Sequence, residues 1–512
     1  MIRNLSSPRL KSNGSARGNC AIVATLTTAV WRERRDLQAL RGTASGLQVR
    51  ADLTGGSDVD LLRSLFDGEL IYSLRSPEYG GAFVGSAAER RHCLLAAARS
   101  YDAVELEVDR DLTPELLAAV PPHRRRICWY GGPLDPAGFD AIFERMRETP
   151  ARLYLLASEA KTVEEAMAPL RFLARLGRSD VTALATGDLG LFTRLLAPWF
   201  GAPVVFGGLG QDVAWGVPPV AHLLADYPFP ALPPLERVFG IVSRPMRGSQ
   251  SPRLHNAAYR ALGLPALYLP LPVKEFAGSW QALCTGFDQL GLAFGGATVV
   301  SPFKEEALRL SDTASEAARH TDAANLLVRD KSSWRAYTTD PVGIVGALRR
   351  AGVELAGRKA AVVGCGGAGR GAAIGLSAAG VVPTIVNRGL ARARYAADLL
   401  GVDHLPLARF APENYSLIVH ATPVRDEPPF DVDRIAPGTV VVDLTYGPGE
   451  TPLAAAVRAR HEVVVDGWQV LAVEVEEQFR LLTGKSVSGG PERLDSADIP
   501  VPAVPAQREF IR

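Results

Sequence analysis

The sequence predicts an α/β protein: an N-terminal (β/α)8 barrel, then a two-domain α/β unit ending in a Rossmann-type nucleotide-binding domain. Three observations predict it. From residue 20 to about 210, eight short β-prone runs alternate with helix-like segments, the count of a barrel. A Pro-rich stretch at 226–236 then breaks the alternation and reads as a linker. Beyond it a second βα series runs into Gly364-Cys365-Gly366-Gly367-Ala368-Gly369, a glycine loop between an apolar run and a small-residue helix.

In order, the barrel runs are Ala21–Leu26, Gly46–Val49, Leu70–Leu74, Ala103–Val108, Arg126–Tyr130, Arg152–Ala157, Val181–Ala185 and Val204–Phe206. Helical patterns between them include Ala87–Arg99, Ala137–Arg147, Val163–Leu176 and Gly190–Pro198. After the linker come strands at Val238–Val242, Ala266–Leu269 and Gly296–Val300, with helices at Pro252–Leu262, Phe276–Leu290 and Pro341–Ala351. Strands at Pro383–Val386, Leu417–His420, Val440–Leu444 and Glu462–Val465 follow the glycine loop, and a last helix, Val470–Leu482, stops at Gly484. The expected domains are a barrel at 20–225, a substrate domain at 237–345 completed by 466–484, and a nucleotide domain at 346–465. Residues 1–19 and 485–512 read as tails, although the acid-free, Arg- and Ser-containing start also suits a targeting segment.

Composition narrows the function. Lys and Arg total 56 against 55 Asp and Glu, which gives no support for nucleic acid or a charged membrane surface as main partner. The five cysteines form no C-x-x-C pair, which suits a reducing cytoplasm and argues against structural zinc, so no metal is expected.

The chemistry gathers in the second half. Gly364, Gly366 and Gly369 fill G-x-G-x-x-G, whose glycines allow a tight turn, approach of a pyrophosphate and close packing of helix on strand. The bland alternative is a tight βα turn. The next strand ends in Asn387-Arg388, with Arg392 one turn on and no carboxylate for a ribose hydroxyl. Arginines there favour NADP over NAD, or are solvated loop residues. Ser249 and Ser251 precede a helix that starts at Pro252, so they either cap it or offer hydroxyls to a substrate carboxylate. Lys304 follows a strand, where a ligand crevice opens in α/β sheets, and Asp340 opens a helix. The bland readings are a surface lysine and an N-cap. Together they form a candidate acid–base pair for a carbonyl oxygen.

Residues 238–484 resemble the shikimate dehydrogenase family. The resemblance rests on S-x-S-P-x-x-H-N at Ser249–Asn256, P-F-K at Pro302–Lys304, A-N-L at Ala324–Leu326 and T-D at Thr339–Asp340. It continues through the glycine loop, N-R-x-x-R at Asn387–Arg392, A-T-P at Ala421–Pro423, D-L-x-Y at Asp443–Tyr446, T-P-L at Thr451–Leu453 and Q-F-x-L-x-T-G at Gln478–Gly484. It implies NADPH-dependent, reversible reduction of 3-dehydroshikimate to shikimate, with Lys304 and Asp340 as the catalytic pair. By the same resemblance Ser249, Ser251, Asn325, Tyr446 and Glu474 meet the substrate. Gly364, Gly366, Gly367, Ala368, Gly369, Asn387, Arg388, Arg392, Thr422 and Gly467 meet the cofactor. Five positions depart from the family pattern: Val300 replaces a threonine, Gly248 a polar or aromatic residue, Glu474 a glutamine, His420 an asparagine and Arg425 a glycine. The departures at 300 and 474 keep open quinate or another cyclic hydroxy acid as substrate, and a non-catalytic metabolite sensor is the reading from another class.

Residues 20–225 resemble the type I 3-dehydroquinate dehydratase half of the plant-type bifunctional enzyme. The traces are Arg50-Ala51-Asp52, Ser73-Leu74-Arg75, Val104–Glu107 and Gly187–Arg194. That family works through a lysine imine and a histidine acid–base. Here the aligned positions hold Leu155 and Gly131, while Gln48 and Val217 replace a glutamate and a glutamine. Leucine forms no imine and glycine moves no proton, so the barrel is expected not to dehydrate by that route, against the alternative of an active bifunctional enzyme. Arg50, Arg75 and Arg194 remain for an anion, with Trp129, Leu155, Trp215 and Val217 expected to fill the mouth.

Overall fold

A computed structural model of the protein describes residues 19–28, 34–210, 216–244, 249–447 and 449–486. Nearly all of the expected tails, together with Trp215 and Gly248, lie outside the described residues. The chain forms two compact units that divide between Phe294 and Gly295. The division falls inside the stretch 237–345 that the sequence reading treats as one domain.

In the first unit β1 (Ala21–Leu26), β2 (Gly46–Arg50), β3 (Glu69–Ser73), β4 (Ala103–Glu107), β5 (Arg125–Gly131), β6 (Leu153–Glu159), β7 (Val181–Thr186) and β8 (Val204–Gly208) form one sheet in the order β7-β6-β5-β4-β3-β2-β1-β8. Every adjacent pair is parallel. The order ends on β7 and β8, the two strands that close a ring of eight, so this is the nearly closed barrel that the alternation predicts. Side chains alternate across each strand, so Leu153, Leu155 and Ala157 of β6 join Val23, Ile71, Cys128, Leu184 and Phe206 in one apolar cluster. The helix Val163–Leu176 covers the outside; Thr162 and Glu165 cap its start reciprocally and Gly177 ends it in the left-handed conformation. Its Phe172 packs with Phe139 and Phe143 of the helix Pro136–Arg147.

The first unit continues past the Pro-rich stretch. β9 (Arg237–Ser243) and β10 (Ala266–Pro272) pair in parallel. The helix Ala277–Gln289 then lies against Val163–Leu176: a β-carbon built on Gly286 would meet Met167 Cγ at 2.7 Å. Phe287 adds an edge contact to Phe192. Burying one such ring contributes about 1.5–3 kcal/mol.

The second unit opens with a mixed sheet. β11 (Ala293–Val299), β13 (Leu326–Asp330) and β14 (Ser333–Tyr337) run antiparallel in turn, and the short β12 (Thr313–Ala314) joins β14 in parallel. A fully parallel sheet follows, made of β15 (Lys359–Val363), β16 (Val382–Asn387), β17 (Asp403–Pro406), β18 (Leu417–His420), β19 (Val440–Asp443) and β20 (Val464–Asp466). Its order, β17-β16-β15-β18-β19-β20, reverses direction between β15 and β18, which is where ligands enter such sheets. Ala360 and Val362 of β15 face one core; Ala361 and Val363 face the other. The central strands are therefore apolar on both sides, as the near-continuous Ala360–Val363 run requires.

Candidate active site

Lys304 is the first residue of the helix Lys304–Arg309, just beyond the carboxyl end of β11. Asp340 is the first residue of the helix Asp340–Arg350. Lys304 Nζ donates to both carboxylate oxygens of Asp340 at 2.9 Å. The Asp340 side chain is 4% exposed and that of Lys304 13%, so the pair is withdrawn from bulk water but not sealed. Asn325 Nδ2 donates to Asp340 Oδ1 at 3.1 Å and Thr338 Oγ1 to Oδ2 at 3.3 Å. These donors occupy the carboxylate, so Asp340 is not acting as a helix cap.

Asn325 is fixed in turn. Its side-chain oxygen accepts from the Thr339 backbone at 2.8 Å, and its amide donates to Thr339 Oγ1 at 3.0 Å. Gln478, from the helix Gly467–Thr483, also donates to Thr339 Oγ1, at 3.1 Å. Glu474, one turn earlier on that helix, lies over Gly343: a β-carbon there would meet Glu474 Cγ at 2.3 Å. Burial, and then the charge of Asp340, push the Glu474 carboxyl up to about 8, despite the opposing pull of Lys304. Tyr446 is half-buried, with its ring 5.1 Å from that of Trp468. Burial and then the Glu474 charge raise its hydroxyl to about 12.

The nucleotide-type loop abuts this cluster. Gly364 has φ +113°, and a β-carbon there would meet Ala421 O at 2.7 Å. One on Gly369 would meet Gly364 O at 2.1 Å, whereas one on Gly366 would meet nothing within 4 Å. The turn is thus closed on its inner side and open where a ligand approaches. The helix Gly367–Ala378 has no side-chain cap, so its first N–H groups are uncommitted to side chains. Ala368 is half-buried beside them.

Glycine has a second use in this helix, one that the G-x-G-x-x-G pattern does not show. Gly367, Gly371 and Gly375 recur every four residues on one helix face. β-Carbons on them would meet Lys304 Cδ at 2.9 Å, Asp340 Cβ at 2.7 Å and Pro341 O at 2.9 Å respectively. The stripe lets the nucleotide-type helix lie directly on the Lys304–Asp340 pair, and its four-residue spacing is the signal that would reveal it. Arg370, also overlooked, is buried and donates to Thr321 O at 2.6 Å and Glu305 Oε1 at 2.8 Å.

Asn387 ends β16 and donates to Gly389 O at 3.1 Å, while Arg388 and Arg392 stand exposed after it. Gly467 starts its helix against Thr445 O, 2.8 Å from where a β-carbon would lie. Thr422 Oγ1 is 2.6 Å from His420 Nε2, and His420 Nδ1 is 3.0 Å from Asp443 Oδ1. Burial opposes the Asp443 charge, yet hydrogen bonds from His420, Thr451 and Thr445 hold its carboxyl below the ordinary range. The ionised Asp443 makes Nδ1 the donor of that contact.

Lys304, Asp340, Asn325 and Glu474 thus form one cluster with the glycine loop. Ser249 and Ser251 belong to the first unit, where Ser249 Oγ accepts from the Ser251 backbone at 3.4 Å at the start of the helix Ser251–Ala261.

In the barrel Leu155 is buried in the apolar cluster. Gly131 lies under Trp129, whose indole would be 2.4 Å from a β-carbon at 131. Gln48 bridges Thr25 and Glu105. Arg50 is closed onto Asp52 through two hydrogen bonds. The Arg75 guanidinium is 4.0 Å from the Tyr130 ring centroid, and Arg194 donates to Gly216 O at 3.2 Å. Val217 is half-buried, and Lys161 is exposed beyond β6.

Among the described residues no group of three His, Cys, Asp or Glu could hold a metal, and no helix is long and apolar enough to cross a membrane.

Comparison with known proteins gives two family matches: type I 3-dehydroquinase over residues 23–229, and the shikimate dehydrogenase substrate binding domain over residues 241–327. The chain is 27% identical over 445 residues to the chloroplastic bifunctional 3-dehydroquinate dehydratase/shikimate dehydrogenase of Arabidopsis thaliana, covering 81% of this chain and 73% of that protein. It is 37% identical over 243 residues to the shikimate dehydrogenase (NADP(+)) of Acidiphilium cryptum, covering 46% of this chain and 86% of the relative. A solved structure of the dehydroquinate dehydratase and shikimate dehydrogenase from S. pombe AroM aligns over 92% of this chain and 97% of its own, at 22% identity and a TM-score of 0.41.

Proposed function

The chain belongs to the shikimate dehydrogenase family, and we propose that its second unit carries the groups for reversible, NADP-linked reduction of 3-dehydroshikimate to shikimate. The observation that carries this is the Lys304–Asp340 pair, bonded through both carboxylate oxygens and lying directly beneath the first turn of the nucleotide-type helix. NADPH, when bound, supplies the hydride. The open side of the glycine loop at Gly366 fits a pyrophosphate, and exposed Arg388 and Arg392 suit a 2′-phosphate, with Gly364, Gly367, Ala368, Gly369, Asn387, Thr422 and Gly467 completing the cradle.

Lys304 Nζ delivers a proton to the carbonyl oxygen in the reduction and receives the hydroxyl proton in the reverse direction. Asp340 holds the amine in place and balances its charge. Asn325 and Thr338 fix the carboxylate that does so. Tyr446, Ser249, Ser251 and Glu474 are assigned to the substrate. Val300, half-buried where the family resemblance has a threonine, favours quinate or a related hydroxy acid as the second reading. NADP-linked oxidation of shikimate against quinate by the purified protein tests both. Turnover of shikimate above quinate is expected, and turnover of neither would end the proposal.

The barrel is assigned no dehydration by an imine route: Leu155 occupies the lysine position and Trp129 covers Gly131. Incubation with dehydroquinate and borohydride should leave the barrel unmodified, and a trapped adduct would overturn the assignment. The sparse cysteines, five in the chain and none in a C-x-x-C pair, support a reducing, cytoplasmic setting.

A further inference from the structure

We propose that Arg370 is a positioning residue for Lys304: one buried guanidinium that fastens the start of the nucleotide-type helix to the helix carrying the amine and to the turn that leads to Asn325. The role rests on the reading of Lys304 and Asp340 given above. Arg370 stands in the first turn of the helix Gly367–Ala378, and its side chain is 4% exposed. Its nitrogens reach three separate segments. Nε donates to Thr321 O at 2.6 Å and Nη2 to Asp322 O at 3.2 Å, where the helix Glu316–Thr321 ends. Nη2 also donates to Glu305 Oε1 at 2.8 Å, in the helix Lys304–Arg309. Nη1 donates to Cys365 O at 3.4 Å, inside the glycine loop. A guanidinium suits this set because its donors form a fixed planar fork, whereas the amine of a lysine is a single point.

Two of these segments bear on Lys304. Glu305 is the next residue in the chain. The turn after Thr321 carries Ala324, whose N–H donates to Lys304 O at 2.8 Å, and then Asn325, which bonds Asp340 at 3.1 Å. The same helix meets the stem of Lys304 directly: a β-carbon on Gly367 would lie 2.9 Å from Lys304 Cδ and 3.1 Å from Ala323 Cβ. Tyr395, from the helix Leu390–Leu400, repeats the attachment, and its hydroxyl donates to Asp322 Oδ2 at 2.7 Å. A guanidinium buried only to finish the helix Glu316–Thr321 would need no more than the two carbonyls there. The bond to Glu305 goes further. A buried guanidinium needs a counter-charge, and here that charge is the neighbour of Lys304. Drawing the Lys304 helix away from the glycine loop would strip Arg370 of it, and a buried charge left without its partner is costly. The amine is thereby tied to the loop that receives the cofactor.

The test compares the full chain with Arg370→Ala, Glu305→Ala and the double variant. The Glu305 side chain is 47% exposed, so its removal severs the link to the Lys304 helix and leaves the three carbonyl bonds of Arg370 in place. In NADP-linked shikimate oxidation, kcat should fall about 10²-fold in Arg370→Ala and about tenfold in Glu305→Ala, with both KM values within about threefold of the wild type, because a misplaced acid–base group slows the chemistry more than the binding. In the Arg370→Ala background the further change at Glu305 should cost little, since the two act through one contact. An unchanged kcat in Glu305→Ala, a loss confined to KM, or additive losses in the double variant would overturn the proposal. A second measurement needs neither cofactor nor turnover. Hydrogen exchange of the protein alone should run about tenfold faster across residues 304–309 in both single variants and stay unchanged in the barrel helix Val163–Leu176. Wild-type protection at 304–309 in Arg370→Ala would overturn the proposal even if neither shikimate nor quinate proves to be the substrate. Faster exchange there with an inactive wild type would instead remove the functional reading and leave the clamp standing.

Discussion

The barrel and the second unit both place charged side chains just beyond the carboxyl ends of strands, and the two sets have opposite characters. In the barrel the charges are closed on one another or sheathed. Arg50 is bonded to Asp52, Arg90 to Asp111, and Arg75 lies under Tyr130. Positions 155 and 131, which the dehydratase resemblance implies for its amine and imidazole, hold a packed leucine and a covered glycine. In the second unit an amine and a carboxylate remain poised between an uncapped helix and a donor network. The lesson is that charge at strand ends does not by itself make a reactive site. Charge is common to both regions; a titratable pair beside open space belongs to one.

The contrast can be broken most forcefully at Lys304. Lys304→Ala should lower kcat/KM by about 10²–10⁴-fold, the range for a lost acid–base group. Steady-state kinetics would show it, and near-normal rates would mean that the proton moves elsewhere. The matching change in the barrel, Leu155→Ala, should act on stability: about 2–5 kcal/mol is lost when a core leucine is truncated. Denaturant unfolding followed by a probe in the barrel measures this, and a negligible change would mean that Leu155 is not the packed plug described above. Next is Arg392→Ala. If its guanidinium meets a phosphate, a charge-assisted bond worth about 1.5–3 kcal/mol disappears. The KM for NADP should rise about tenfold or more while that for NAD stays in place, and parallel changes in both would assign Arg392 to solvent.

The smallest effect is expected at His420→Asn, with a loss of about 1 kcal/mol at pH 7. The carboxyl of Asp443 sits below its ordinary range in the folded protein, so the stability from its charge is present above the unfolded value. That stability disappears as pH falls through the depressed folded value. The cost of His420→Asn should therefore shrink in acid, which unfolding curves at neutral and acidic pH would reveal.

Much of this was legible in the sequence because it depends on local pattern. The barrel strands are short apolar runs bounded by turns, and the observed limits at Ala21–Leu26 and Leu417–His420 coincide with the expected ones. Other elements carry little pattern. The hairpin of β13 and β14 includes Arg329, Asp330, Ser333 and Arg335, and β17 is a half-exposed edge, so neither shows an apolar alternation. The glycine loop was readable from its spacing, but the four-residue stripe that lays its helix on Asp340 was hidden among small residues. The state of Glu474 was beyond reach altogether. A residue letter gives a carboxyl group, whereas its proton depends on the burial and the neighbouring charge that only tertiary structure supplies.

Trp129 sets a steric condition on any chemistry engineered into the barrel. A histidine placed at position 131 would drive its β-carbon into the indole at 2.4 Å unless that ring were first displaced. An acid–base group there would therefore need a change at 129 as well, and an imine-forming lysine would need a further change at 155, where the wall is packed with apolar side chains. Burying an amine among those side chains is costly by itself. No single substitution in this barrel would thus supply both groups of an imine route; the changes are coupled through the packing of one indole and one apolar wall.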